Sequence, residues 1–363
     1  MINKIETYYT FSDVFLIPQM TDCSTRSSLD TSTSIGNIDL ELPIISANMD
    51  TITGPTMAIA MQHSGGVGAL HRFNSIKSAV SDYKSVITRN KDCFVSVGVN
   101  GDSIDRARAL YDAGARNFII DVAHGHCTMM RYTLNVMRNT FGSSVYIVAG
   151  NVATPAAVKD LASWGADCIK VGIGGGSCCS TRVITGHGVP MFSCLLKCCE
   201  TADRIGNVKV IADGGIRSSG DIVKALVAGA DYVMIGSLLS GTHETPGEEI
   251  YINGERYKSF RGMASTAAMI DRNNRDKISM PVGEGVNTTV PAKGYVVTVL
   301  NDLRSGIKSG MSYMNAHSIK EIPVVARWGA QTAAGSHEGT PHILLGEKLD
   351  VYVEEAQEDS VGL

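Results

Sequence analysis

Eight short runs rich in apolar and β-branched residues recur between residues 42 and 237, with longer segments of helical spacing between them. The runs are LPIISA (42–47), GVGAL (66–70), FVSVGV (94–99), NFIIDV (117–122), VYIVAGN (145–151), CIKVGI (168–173), VKVIADGG (208–215) and DYVMIGS (231–237). Strands that alternate with helices favour a parallel sheet, and eight such units predict an α/β fold of the closed (β/α)8 barrel type. The helical segments include SIDRARALYDAGA, GDIVKALVAGA and NVATPAAVKDLASWGA; in the last, Thr154 is placed as N-cap and Pro155 as the first helical residue. Three joints repeat one phrase, AGARNFII, WGADCIK and AGADYVMI, in which glycine closes a helix before the next strand begins.

Length allows residues 1–363 to form one barrel domain, because α/β barrels of this size commonly fold as a unit. Outside the alternation lie a leading arm (1–41) and a long segment from residue 242, with few core signals until YVVTVLNDLRSGIKSGMSYM. The span 264–294 is polar, charged and aperiodic and is expected to be a mobile active-site flap, while the acidic tail EEAQEDSVGL is expected to be disordered. A net charge of -4 gives no basic footprint, so nucleic acid is not an expected partner. No run approaches the ~18 apolar residues of a membrane span, and the first residues lack a signal-peptide core, so a cytoplasmic protein is expected. Nine cysteines at irregular spacings, with adjacent pairs at 178–179 and 198–199, fit neither a disulfide framework nor a zinc site. Most read as buried small hydrophobes, with Cys179 the exception.

Barrel enzymes work at the C-terminal ends of their strands. Those ends carry Asn48 and Asp50, Asp121, Asn151, the loop GIGGGSCCST, Asp213 with Gly214 and Gly215, and Gly236 with Ser237. The last two sets follow the seventh and eighth strands, where backbone N–H groups commonly bind a phosphate; otherwise their glycines simply form turns. Beside them the Asp213 carboxylate suits a sugar diol, which makes a ribose monophosphate a natural ligand. Cys179 would lie across the same mouth, in a glycine loop whose N–H groups can lower a thiol pKa and whose carbonyls can hold a cation. Its target would be an electrophilic carbon of the ligand, with Thr181 placed to relay a proton.

The segments GIGGGSCCSTR, IADGGIRSSGDIVKALVAGADYVMIGSLLSG, YKSFRGMAS and ISANMDTIT resemble, in order along nearly the whole chain, the inosine monophosphate (IMP) dehydrogenase and guanosine monophosphate (GMP) reductase family. The resemblance implies that a cysteine adds to carbon 2 of the purine and that a hydride passes between that carbon and a nicotinamide. The family pattern G-S-x-C-T-T-R falls on Gly176 to Arg182, which makes Cys179 the nucleophile and Cys178 the variable position. It also implies nucleotide contacts from Asn48, Ser177, Asp213, Gly214, Gly215, Gly236, Ser237, Gly262, Met263 and Ala264, and cofactor contacts from Asp121 and Ala123. A potassium ion on the carbonyls of Gly174, Gly176 and Cys179 and a homotetramer are further implications.

The branch is read from what differs between the two reactions. The regulatory module usual in dehydrogenases has no counterpart, since HRFNSIKSAVSDYKSVITRNKD leads straight to the third strand. ANMDT and DVA look like reductases, whereas DGGIRSSGDIVKAL, GTHETPGE, SGMSY and GSHEGTPH look like dehydrogenases. A dehydrogenase flap supplies an arginine and tyrosine that activate water, but here Arg272 is followed by Asn273, and no tyrosine or histidine occurs from 261 to 290. Thr181 and Glu284 match the reductase pair that shuttles a proton to departing ammonia, although Pro281 stands where the reductase arginine is expected and Phe260 replaces a dehydrogenase tyrosine. The expectation is therefore a GMP reductase using NADPH. The alternatives are an IMP dehydrogenase using NAD, a non-catalytic purine nucleotide-binding protein, and a flavin-binding barrel, which the cysteine loop argues against.

Overall fold

The computed structural model describes residues 6–263 and 285–341. Its centre is a closed barrel of eight parallel strands, β1 (Ile44–Ser46), β2 (Val67–Leu70), β3 (Phe94–Val97), β4 (Asn117–Asp121), β5 (Tyr146–Val152), β6 (Cys168–Val171), β7 (Lys209–Asp213) and β8 (Tyr232–Ile235). Each strand pairs with the next in sequence, and β8 pairs with β1 through Val233↔Ile44. All eight predicted strands are present, seven of them trimmed by one to three residues and the fifth shifted by one residue to Tyr146–Val152.

Period-2 alternation divides each strand between two cores. Ile119, Ile211 and Met234 point into the barrel, while their neighbours Phe118, Ile120, Ala212 and Val233 pack outward under the helices. Among the described residues the helices are α1 (Pro55–His63), α2 (Ile76–Ile87), α3 (Ser103–Asp112), α4 (Thr128–Phe141), α5 (Pro155–Ser163), the single turn α6 (Thr181–Thr185), α7 (Met191–Ile205), α8 (Ser219–Val227) and α9 (Val296–Met314), followed by the short α10 (Ile322–Val325) and α11 (Ala333–Glu338). Helix α9 packs against α8 and α1 and so completes the ring. The three repeated joints place Gly114, Gly165 and Gly229 at φ +109°, +107° and +97°, the region glycine enters without a Cβ clash. Thr154 caps α5 by accepting from the Ala157 N–H at 3.3 Å, with Pro155 following. Thr154→Ala is expected to lower unfolding stability by about 1 kcal/mol, read from urea midpoints at constant m-value.

Residues 1–41 do more than lead in. The hairpin Thr33–Ile35 with Ile38–Leu40 inserts Ile35, Ile38 and Leu40, all nearly inaccessible, into the interior core, so that part of the arm plugs the barrel at the strands' N-terminal end. A second correction concerns the expected flap. Between β8 and α9 the chain builds a three-stranded antiparallel sheet, β9 (Ile250–Ile252), β10 (Glu255–Arg261) and β11 (Asn287–Pro291), so residues 287–291 are strand rather than loop. Because β11 is largely exposed on both faces it shows no alternation, and pairing with β10, through Arg261↔Asn287 and Ser259↔Thr289, defines it. Lys258 on β10 is buried and donates to the carbonyls of Thr242, His243 and Thr245 at 3.1, 3.1 and 2.8 Å, tying the loop after β8 to this sheet. Among the described residues no helix is long and apolar enough to cross a membrane.

Candidate active site

A cavity of about 370 Å³ opens at the C-terminal ends of the strands. That volume lies in the roughly 300–1,000 Å³ range of small-molecule sites. Asn48, Asp121, Ala123, Gly174, Gly176, Ser177, Cys179, Thr181, Asp213, Gly214, Gly215, Gly236, Ser237, Gly262 and Met263 all line it. Ala264 and Glu284, like Arg272, lie outside the described residues. A larger cavity, about 730 Å³, sits at the opposite end of the barrel around Arg116 and Arg138 and includes none of the predicted site residues.

The cysteine loop leaves β6 through Gly172, where a side chain would strike the Asp213 carbonyl at 2.0 Å, so only glycine lets the loops after β6 and β7 lie this close. Cys179 donates its N–H to the Gly176 carbonyl at 3.0 Å, is exposed, and directs its thiol at Thr181 Oγ1, 3.2 Å away. Cys178 is turned the other way, into the core, and burial pushes its thiol pKa up. The two neighbours therefore differ in what they can attack: a nucleophile must reach its target as thiolate, and only Cys179 faces the cavity as an exposed group. The ends of the β10–β11 sheet close on this loop. Val286 N–H donates to the Cys178 carbonyl at 3.0 Å, Gly262 N–H donates to the Val286 carbonyl at 2.9 Å, and Gly285 forms a backbone bridge with Cys179.

Lys170, which faces the same interior as Cys168 two residues earlier, lines the cavity. Its side chain is 3% exposed, and its ammonium donates to Asp213 Oδ2 at 2.6 Å, pairs with Asp121 Oδ1 at 2.9 Å and bonds Asn151 Oδ1. Burial alone would lower the lysine pKa, but the two carboxylates outweigh it and hold the group well above its ordinary value. Asp121 is the converse. Burial acts to raise its pKa, yet the charges of Lys170 and Arg72 and hydrogen bonds from Lys170 and Asn48 keep it below the usual carboxylate value. Asn151 Nδ2 adds a bond to Asp213 Oδ2 at 2.9 Å, so both of these contacts fall on one oxygen of that carboxylate.

Directly after β8, the Gly236 carbonyl accepts from the N–H groups of Leu239 and Ser240 at 2.9 and 3.1 Å, opening a helical turn. The first N–H groups of such a turn have no acceptor within it and suit an anion. Arg261, the last residue of β10, pairs with Asp50 at 2.6 Å, fixing the start of the Gly262–Met263 segment against the end of β1. Sequence reasoning missed Lys170, Arg72 and Phe73 as lining residues. Lys170 carried a legible signal, a charge at an inward position of an otherwise apolar parallel strand. Arg72 and Phe73 follow the second strand directly, but nothing in their residue types marks them.

A family model described as the IMP dehydrogenase / GMP reductase domain matches residues 8–342. Inosine-5'-monophosphate dehydrogenase of Nitrosopumilus maritimus is 31% identical, across 93% of this chain and 98% of its own length. GMP reductase of Leishmania donovani is 30% identical, across 92% of this chain and 96% of its own. Among solved structures, a cysteine-to-alanine variant of GMP reductase from Trypanosoma brucei, in complex with guanosine 5'-monophosphate, aligns with a TM-score of 0.86 and 29% identity, covering 93% of this chain and 98% of that one.

Proposed function

The chain belongs to the IMP dehydrogenase/GMP reductase family, whose members are oxidoreductases acting on purine nucleotides, and we propose that it is a GMP reductase, converting GMP and NADPH to IMP, ammonia and NADP. The observation that carries this reading is the pairing of the exposed Cys179 thiol with Thr181 Oγ1 at 3.2 Å, in a loop bridged to Gly285, the residue that follows Glu284 in sequence. A thiol, a hydroxyl relay and a carboxylate are what loss of an amine from a purine requires. Cys179 Sγ bonds to carbon 2 of guanine, the bond from that carbon to the exocyclic amine breaks, and the amine leaves as ammonia with a proton passed from Glu284 through Thr181. NADPH, when bound, supplies the hydride that carbon 2 receives. The C–S bond then breaks, returning the thiolate and releasing IMP.

The remaining residues bind and orient. Asp213 holds the ribose diol with the carboxylate oxygen that Lys170 and Asn151 leave over, and the backbone at Gly214, Gly215, Gly236 and Ser237 holds the phosphate. Asn48, Ser177, Gly262, Met263 and Ala264 complete the nucleotide contacts, and Asp121 and Ala123, beside Arg72 and Phe73 in the same cavity, receive the cofactor. The carbonyls of Gly174, Gly176 and Cys179 are neutral oxygen donors of the kind that replace a potassium ion's hydration shell; such an ion would supply a fixed charge that steadies the cysteine loop. A cytoplasmic homotetramer belongs to the same proposal.

Asp213→Ala is expected to weaken GMP binding by about 1.5–3 kcal/mol, the usual size for hydrogen bonds to a charged group, as read by calorimetry. An unchanged dissociation constant would remove Asp213 from the ribose. Turnover tests the reading as a whole: ammonia and IMP from GMP with NADPH support it, and xanthosine monophosphate from IMP with NAD, without the reverse activity, overturns it. The second reading, an IMP dehydrogenase, draws support from relatives of that name, such as the Cryptosporidium parvum enzyme at 35% identity over 92% of this chain.

A further inference from the structure

Lys170 lines the cavity with its ammonium already taken up by the protein: its three N–H donors meet three acceptors from three strands, Asp121 at the end of β4, Asn151 on β5 and Asp213 at the end of β7. Two carboxylates thus share one cation, with Asn151 bonded to the lysine and to Asp213 at once. Resting on the assignment of Asp213 to the nucleotide and Asp121 to the cofactor, we infer that Lys170 is a positioning residue that links the two subsites, so that the charge state of either carboxylate sets the ligand affinity of the other.

The reason is competition for a single buried cation, whose charge is less screened than one in bulk water. While both carboxylates are ionised, each holds Nζ by one oxygen and keeps charge available for a diol. If Asp121 loses its charge, the whole pull of the ammonium falls on Asp213, which becomes a poorer acceptor for the ribose hydroxyls. If the lysine is removed, the two carboxylates face each other without compensation and neither keeps its position. A further charged group beside this pair is Arg72, whose Nε donates to the Asp121 backbone carbonyl at 3.1 Å and whose charge favours ionised Asp121. A residue with a merely structural role would not carry an effect from one subsite to the other.

The test is calorimetric titration of the full-length protein with GMP and, in parallel, IMP, with no nicotinamide present. Asp121→Asn, which removes the charge on the cofactor side while leaving an amide oxygen to accept from Asn48, is expected to weaken nucleotide binding by about 5- to 20-fold, the size of a typical coupling between sites. In steady-state assays Asp213→Asn is expected to raise the KM for the nicotinamide as well as for the nucleotide. Lys170→Met should abolish these cross-effects, and Lys170→Arg, which keeps the charge, should restore them. If Lys170→Met does not fold, the cross-effects in the lysine-containing protein decide alone. Nucleotide binding by Asp121→Asn equal to that of the parent overturns this inference and leaves the functional reading standing. A parent protein that binds neither GMP nor IMP overturns the functional reading and this inference with it.

Discussion

Cys179→Ala is expected to lower turnover by on the order of 10⁴-fold or more while GMP binds with an affinity within about threefold of the parent, since loss of a nucleophile removes the covalent route and a small exposed truncation removes little binding energy. The separation follows from where the contacts originate. Phosphate and ribose are assigned to the loops after β7 and β8, and the thiol comes from the loop after β6, so the two functions sit on different connections of a rigid barrel. Cys178→Ala should stay active, because that side chain packs into the core and its buried thiol titrates high. Peptide mass spectrometry after reaction with a purine carrying an electrophilic carbon 2 checks the assignment. An adduct on Cys178 with none on Cys179 would mean that the cysteine loop is read one residue out of register.

That the cysteine loop lines the cavity was legible in the sequence because glycine, cysteine and threonine at fixed spacing carry chemistry by residue type, and the barrel was legible because eight apolar runs leave few other ways to be buried. What escaped notice did so for physical reasons. Lys170 sits in CIKVGI, where a lysine reads as an ordinary interruption of a strand until period-2 alternation puts it on the inner face with Cys168. Its partners Asp121 and Asp213 are 49 and 43 positions away, separations that only closure of the barrel brings together. Strand β11 was invisible for the opposite reason. It buries almost nothing, so no hydrophobic pattern betrays it, and its order comes from hydrogen bonds to β10. The plugging hairpin near the start shows a third limit. Ile35, Ile38 and Leu40 are too few to give a periodic signal, yet each is almost completely buried beneath the barrel.

Glu284→Gln is expected to slow the conversion of GMP to IMP by about 10²- to 10⁴-fold, the span for loss of a general acid or base, with little change in GMP affinity. In the proposed mechanism, covalent attack by Cys179 and hydride transfer at carbon 2 would serve either branch of the family, so direction rests on which group the enzyme can add or expel at that carbon. Water is a poor nucleophile near neutral pH and needs a base beside it, and the sequence from 261 to 290 offers neither the tyrosine nor a histidine to support Arg272 in that work. Ammonia needs only a proton as it leaves, and in the proposed mechanism Glu284 supplies it by way of Thr181, whose hydroxyl meets the Cys179 thiol at 3.2 Å. The parent protein should therefore consume NADPH with GMP, release ammonia and IMP, and form little xanthosine monophosphate from IMP and NAD. Nicotinamide absorbance in both directions, with products separated by chromatography, reads this directly. Full activity of Glu284→Gln on GMP would remove the carboxylate from the proton path. Efficient xanthosine monophosphate formation by the parent, with no ammonia from GMP, would make hydrolysis the native step and Arg272 the residue to replace next.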